Sequence, residues 1–268
     1  MVSLPQLKTR WLARHLLYRE TMSSTNLVAE DAARQNAPDG LLVITDNQTA
    51  GRGRLDHTWF SPVGRNLTFS LLLHPNLPPA TIPQLSLVAA ISLVEILPAL
   101  PLCIKWPNDV WTDHGRKIAG ILSTMSCTGT TVDYAIVGIG INVNLTQEDF
   151  PTELQSSASS LCILMGNHPL DKQQLLCDFL LQFEADYELW LRHATLEPFF
   201  DRWKQHDSLF GKDISVEQGN KLLNGVANGI TPDGNLLLKK ADGSCCQATA
   251  GDAHIVGAVG KYNEMAEG

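Results

Sequence analysis

Gln48-Thr49-Ala50-Gly51-Arg52-Gly53-Arg54, followed a few residues later by Trp59-Phe60-Ser61-Pro62, is the stretch from which the rest of this chain can be read. Two glycines alternate with two arginines beside an aromatic pair. Glycine lets the backbone approach a ligand closely, and Arg52 and Arg54 bring planar, multi-donor forks suited to carboxylate or phosphate oxygens. Such a loop can wrap an anion; standing alone, it is equally a solvated surface loop. Immediately upstream, Leu41-Leu42-Val43-Ile44-Thr45 is a run of β-compatible residues ending at Asp46, so a buried strand delivers its end to the loop.

Outward from the loop, residues 26–35 read as a short helix and 67–73 as a second apolar strand. Thr81-Ile82-Pro83-Gln84 has the spacing of a capping box with an early proline, opening a helix to about residue 97. Apolar residues run nearly all round that helix, which predicts burial. Residues 117–125 and 132–142 read as strands joined by a hairpin turn over 127–131. Leu175, Leu176, Phe179, Leu180, Phe183, Tyr187 and Leu191 recur at helical spacing behind Asp171, which is placed to cap a long amphipathic helix. A further helix is expected through Phe199, Phe200 and Trp203. After Gly211 the texture changes to short strands separated by Gln218-Gly219-Asn220, Asp233-Gly234-Asn235 and Asp242-Gly243-Ser244, the spacing of a small all-β barrel. A boundary near residue 210 gives domains 1–210 and 211–268, the second too small to be stable without docking on the first.

Composition narrows the class. The chain has 268 residues, 44% hydrophobic and 18% charged, which is ordinary for a folded globular protein. The apolar stretch 85–100 is broken by Ser92, Glu95 and Pro98 and reads as a core helix, not a membrane span. The N-terminus has no basic start, apolar stretch and cleavage site in succession, so a cytoplasmic protein is expected. Six scattered cysteines and eight dispersed histidines show no metal-site or disulfide spacing. A net charge of −8 gives no general attraction for nucleic acid. The basic residues Arg52, Arg54, Lys105, Arg116 and Lys117 are expected to converge locally instead.

Three further motifs follow in order: Lys105-Trp106-Pro107-Asn108-Asp109, Arg116-Lys117-Ile118-Ala119-Gly120-Ile121-Leu122 and Gly138-Ile139-Gly140-Ile141-Asn142-Val143-Asn144. With the Gly-Arg loop they make the sequence resemble a biotin protein ligase over nearly its whole length, from Ser24-Thr25-Asn26 to a segment around Gly229–Gly234. The resemblance implies an α+β fold: a mixed, largely antiparallel sheet with packed helices, of the class II synthetase-like kind, plus a C-terminal SH3-like β-barrel. It implies ATP-dependent ligation of biotin, through biotinyl-5′-AMP, to a lysine of the biotin carboxyl carrier protein of acetyl-CoA carboxylase, with Mg²⁺ as counter-ion. Joining a carboxylate to a polyphosphate brings like charges together. One such repulsion is worth ~4 kcal/mol at about 4 Å and an effective dielectric near 20, so neutralisation is the main catalytic demand.

By the same resemblance, Lys117 and Arg54 contact the carboxylate and α-phosphate oxygens, Arg52 closes the loop, and Asp109 orients the incoming amine. Ser24, Thr25, Asn26, Gln48, Gly51, Arg52, Lys117 and Gly120 serve biotin. Arg52, Arg54, Trp59, Lys105, Asn108 and Asn142 serve the nucleotide. Residue by residue, blander roles stay open: Ser24 as an ordinary helix cap, Trp59 as core, Asn142 as a strand-end turn, Gly120 as packing. No magnesium ligands are assigned, because a lone carboxylate does not define a site. The chain departs from relatives in that Leu55-Asp56-His57 follows Arg54 where others add basic residues, and Asp56 is placed to pair with an arginine. About twenty residues precede Ser24, too few for the helix-turn-helix domain of bifunctional relatives, so gene repression is not expected. Alternatives are a lipoate or octanoate ligase or transferase of the same fold, a biotin sensor without turnover, and a nucleic-acid binder. An exposed sheet edge leaves homodimerisation and carrier docking both open.

Overall fold

The computed structural model describes residues 4, 6–54 and 57–256. Leu55 and Asp56, and with them the expected pairing of Asp56, lie outside the described residues. In chain order the elements are β1 (Leu16–Met22), α1 (Thr25–Arg34), β2 (Leu41–Gln48), β3 (Leu67–Leu73), α2 (Gln84–Glu95), β4 (Leu102–Lys105), β5 (Asp109–Thr112), β6 (Lys117–Thr128) and β7 (Thr131–Ile141). They continue with α3 (Leu161–Leu164), α4 (Lys172–His193), α5 (Phe200–His206), β8 (Asp213–Gln218), β9 (Lys221–Ile230), β10 (Leu236–Lys239), β11 (Cys245–Ala248) and β12 (Asp252–Ile255).

The first seven strands form one sheet in the order β1-β2-β3-β7-β6-β5-β4, antiparallel except for the β1–β2 pair. The last five form an antiparallel sheet in the order β11-β10-β9-β8-β12, in which the final strand returns to pair with the first, as in an SH3-like barrel. The expected α+β class is the observed one.

The seven-stranded sheet is apolar on both faces, because alternate residues of each strand point opposite ways. Leu42, Ile44, Phe69, Leu71, Leu73, Val137 and Ile139 face the main core, where α2 and α4 pack. Leu41, Val43, Leu72 and Ile136 face α1 through its Ala29 and Ala33. On α4 the aromatic residues expected at helical spacing, Phe179, Phe183 and Tyr187, form a continuous ladder that Trp190 extends, with successive ring centroids 5.6 to 6.0 Å apart. Burying each such side chain contributes roughly 1.5–3 kcal/mol. Ile214, Val216, Ala227, Leu236, Leu238, Ala248 and Ala253 belong to the same core, so the C-terminal sheet shares its interior with the rest of the protein.

Two local expectations are corrected. The capping box at Thr81 does not form: residues Pro79–Thr81 make a 3₁₀ turn, Thr81 Oγ1 donates to the Pro78 carbonyl, and α2 starts at Gln84 without a side-chain cap. The Gln84 side chain accepts instead from Trp190 Nε1 at 2.8 Å, a buried donor that outcompetes the cap for it. The parallel edge strand β1 was not foreseen, since Leu16–Met22 carries no apolar run. No helix among the described residues is long and apolar enough to cross a membrane.

Candidate active site

Strand register places the quoted motifs side by side. Reading across the sheet, Thr68 pairs with Gly140, Gly140 with Gly120, Gly120 with Asp109 and Asp109 with Lys105. One row thus joins four strands' motif residues on the face that α1 covers farther along. The next row is Ser70, Gly138 and Leu122, and the one after it, Leu72, Ile136 and Thr124, begins the apolar patch under α1. The glycines are there because other side chains occupy the space above them. A Cβ on Gly138 would lie 2.0 Å from Asn26 Oδ1, and one on Gly140 would lie 2.4 Å from the Trp59 indole. Gly120 sits opposite Gly140 beneath Trp59 and the Lys117 chain end.

Simple alternation would put Lys117 and Gly120 on opposite faces of β6. A β-bulge prevents this. Val110 pairs with Ala119 but Trp111 pairs with Lys117, so Ile118 is an extra residue in β6 and Lys117 turns onto the Gly120 face. There Lys117 Nζ lies 2.8 Å from Asp109 Oδ1, with the pair about one-third and one-sixth exposed, and 5.9 Å from the Trp59 ring centroid. The Trp59 Nε1 donor is buried without a partner among the described residues. Lys105 lies 4.5 Å from the Trp111 ring. Burial lowers the Lys105 ammonium below the usual lysine range, against the pull of Asp109 and Asp252; Lys117 and Arg54 push the same way as burial. These five charges therefore share one neighbourhood.

At the other end of the glycine floor is a polar chain of four side chains. Gln48 Oε1 accepts from Thr25 N at 2.8 Å and from Thr25 Oγ1 at 3.1 Å; Ser70 Oγ lies 2.8 Å from Thr25 Oγ1 and 2.6 Å from Asn26 Oδ1. Ser24 occupies the N-cap position of α1, yet its side chain caps nothing; the first helical N–H, that of Thr25, is met by Gln48 instead. Ser70, fully buried, was missed from sequence. Its signal was there: Thr68 and Ser70 place polar groups at alternate positions of an otherwise apolar strand.

In the Gly-Arg loop, Gly53 N donates to the His57 carbonyl and Trp59 N to the Gly51 carbonyl, closing a narrow ring that lays Trp59 over the floor. Arg52 is exposed and joins Asn26, Leu122, Thr124 and Tyr134 around a cleft of about 490 Å³. Arg54 turns the other way, to Asn108 Oδ1 and Asp252 Oδ1. Asn108 also donates to the Ile121 carbonyl at 2.7 Å, which ties the β4–β5 turn to β6. Two expected members are elsewhere. Arg116 points to Gln147 Oε1 at 3.3 Å. Asn142 is buried, accepting from Asn66 and donating to the Ser159 and Lys117 carbonyls, so it braces the backbone under Lys117.

Known proteins resemble this chain in sequence and fold. Residues 18–142 match the biotin/lipoate A/B protein ligase family and residues 209–255 match the biotin protein ligase C terminal domain. The bifunctional ligase/repressor BirA of Bacillus subtilis is 38% identical over 240 residues, covering 88% of this chain and 73% of that protein. The chain belongs to the biotin protein ligase family. It is thus an enzyme of the ligase class. The biotin–[acetyl-CoA-carboxylase] ligase of Paracoccus denitrificans is 33% identical over 204 residues, with 74% of this chain and 83% of that one covered. Among solved structures, the biotin protein ligase from Aquifex aeolicus in complex with biotin and ATP superposes with a TM-score of 0.76 at 26% identity, covering 90% of this ligase and 98% of that chain.

Proposed function

We propose that the ligase condenses biotin with ATP to biotinyl-5′-adenylate and transfers the biotinyl group to a lysine of the biotin carboxyl carrier protein of acetyl-CoA carboxylase, in the cytoplasm. A carboxylate oxygen of biotin bonds to the α-phosphorus as the α–β anhydride breaks and pyrophosphate leaves. The lysine amine then bonds to the acyl carbon, losing a proton, and AMP leaves. The observation that supports this reading is the meeting of Lys117, Arg54 and Lys105 beside a glycine floor that runs to the Gln48–Thr25–Ser70–Asn26 chain. A ureido ring needs donors and acceptors together at one end of the pocket, and a carboxylate meeting a phosphate needs cations at the other.

In this reading Ser24, Thr25, Asn26, Gln48 and Ser70 serve the biotin head, Gly51 and Gly120 allow close approach, and Arg52 lines the entrance. Lys117 bridges carboxylate and α-phosphate, held over the floor by Asp109. Arg54, Lys105 and Asn108 serve the phosphates, and Trp59 packs on the ligand. Among the described residues no three His, Cys, Asp or Glu side chains converge as a metal cage, so magnesium arriving with ATP would be held chiefly by the phosphates.

The test is mass spectrometry of the protein mixed with MgATP and equal biotin, lipoate and octanoate. Biotinyl-adenylate alone is expected, with formation roughly 10²- to 10³-fold slower in Lys117→Ala, the loss typical of removing one charge-stabilising donor. A lipoyl or octanoyl adenylate would move the ligase to the other branch of its family, and no adenylate at all would end the reading.

A further inference from the structure

Arg54 ties the Gly-Arg loop to the C-terminal sheet. Its Nη1 donates to Asn108 Oδ1 at 3.2 Å and to Asp252 Oδ1 at 3.1 Å, and its Nη2 donates to the Gly251 carbonyl at 3.2 Å. That commits three of the five guanidinium N–H donors and leaves two to meet an incoming anion. The corner that receives Arg54 has a particular shape. Gly251 has φ 114°, and a Cβ there would lie 2.0 Å from the Glu217 carbonyl oxygen. Only glycine lets the chain enter β12 so sharply, with one carbonyl and the next carboxylate turned back to the loop. Asp252 is then fixed by pairing with Glu217 on β8. The Arg54 and Asp252 side chains are 23% and 33% exposed, which sets the pair apart from a fully solvated surface bridge.

We propose that Asp252 is a positioning residue for the nucleotide side of the site: held from the C-terminal sheet, Arg54 presents its remaining donors to the substrate phosphates in a fixed orientation. The inference rests on the adenylation reading above. A long arginine is costly to order, and here the ordering is completed on folding and not on binding. Asp252 touches no substrate in this scheme and acts through Arg54 alone.

Two measurements test it. In steady-state assays of adenylate formation, Asp252→Ala and the isosteric Asp252→Asn should raise the KM for ATP, by about tenfold for the alanine, since one tenfold step corresponds to a single modest ion-pair contribution. Biotin binding without ATP should stay within about twofold, Asp252→Glu should recover part of the loss, and in an Arg54→Ala background Asp252→Ala should change nothing further. An unaltered KM in the single variants, or an additional loss in the Arg54→Ala background, would overturn the proposal. Independently of any ligase activity, hydrogen exchange across residues 48–54 of the ligand-free protein should be faster in Asp252→Asn than in the parent at equal melting temperature. Equal exchange would overturn the proposal even if the adenylation reading stands, and faster exchange would sustain the latch even if that reading falls.

Discussion

In the helix layer beneath the seven-stranded sheet, Arg202 of α5 grips Asp186 of α4 through two nitrogens, at 2.7 and 2.9 Å, and Glu95 of α2 through Nε; Asp186 also accepts from Ser92. On the opposite face Arg54, Lys105 and Lys117 share two carboxylates, Asp109 and Asp252, above a floor of glycines. Both regions bury charge, and the difference lies in how far each is satisfied. The helix-layer group is complete: a bidentate fork with its acceptors filled, which holds three helices in register and has nothing left to offer. Among the described residues the site face carries one more cation than it has carboxylates, an indole donor without a partner and room above the strands. Charge whose hydrogen bonds are filled from within serves the fold, and positive charge left in excess beside an open floor awaits an anion.

This contrast can be broken at either region. The largest effect is expected from Asp186→Ala, which takes away the bidentate partner of Arg202, leaves it only Glu95, and should cost about 3 kcal/mol of unfolding free energy. Denaturation measures that loss, and adenylate formation per folded molecule should be unchanged; a specific loss of turnover at unaltered stability would erase the distinction. Gly138→Ala should strike the site instead. The new methyl group would displace Asn26 from Ser70, at a cost of about 1–3 kcal/mol for the buried groups left unpaired, so the midpoint of unfolding should fall by several degrees while biotin affinity by calorimetry falls about tenfold or more.

The smallest effect sharpens the helix-layer side. Burial pushes Glu184 up, yet the N–H groups of Arg10, Trp11 and Leu12, with the Arg10 charge, outweigh it and hold the carboxyl below the usual glutamate range. A depressed folded value means the stabilisation is present above the unfolded pKa and is lost as pH falls through the folded one. Glu184→Gln should therefore be less stable than the parent by about 1–2 kcal/mol near neutrality, with the gap closing in acid. A gap that persists unchanged at low pH would show that the carboxylate charge does not anchor the N-terminal segment.

Much of the fold was legible because its signals are local. Apolar runs, the Asp171 cap on α4 and the Gly-centred turns after Gly211 each follow from a few neighbouring residues. The same locality explains what was misread. Thr81 and Gln84 have capping spacing, but Trp190, more than a hundred residues away, claims the Gln84 side chain. Ser24 reads as a cap and does sit at the N-cap position of α1, but its side chain accepts no helix N–H. Within the site, Lys117, Asp109, Arg54 and the Thr25–Gln48 group were visible as motif residues. Ser70 was visible only as an alternation of polar groups, and Asp252 had no signal.

The sequence by itself determined which residue types this protein gathers: cations and glycines in ordered motifs, an acidic remainder and two sets of strands. Tertiary structure alone decided which of them meet. The bulge at Ile118 turns Lys117 onto the glycine face, and strand register lines up Lys105, Asp109, Gly120 and Gly140. The sharp entry into β12 brings Asp252 to Arg54 across nearly two hundred residues of chain. Each of these depends on pairing between distant strands, a relation that composition and periodicity do not encode.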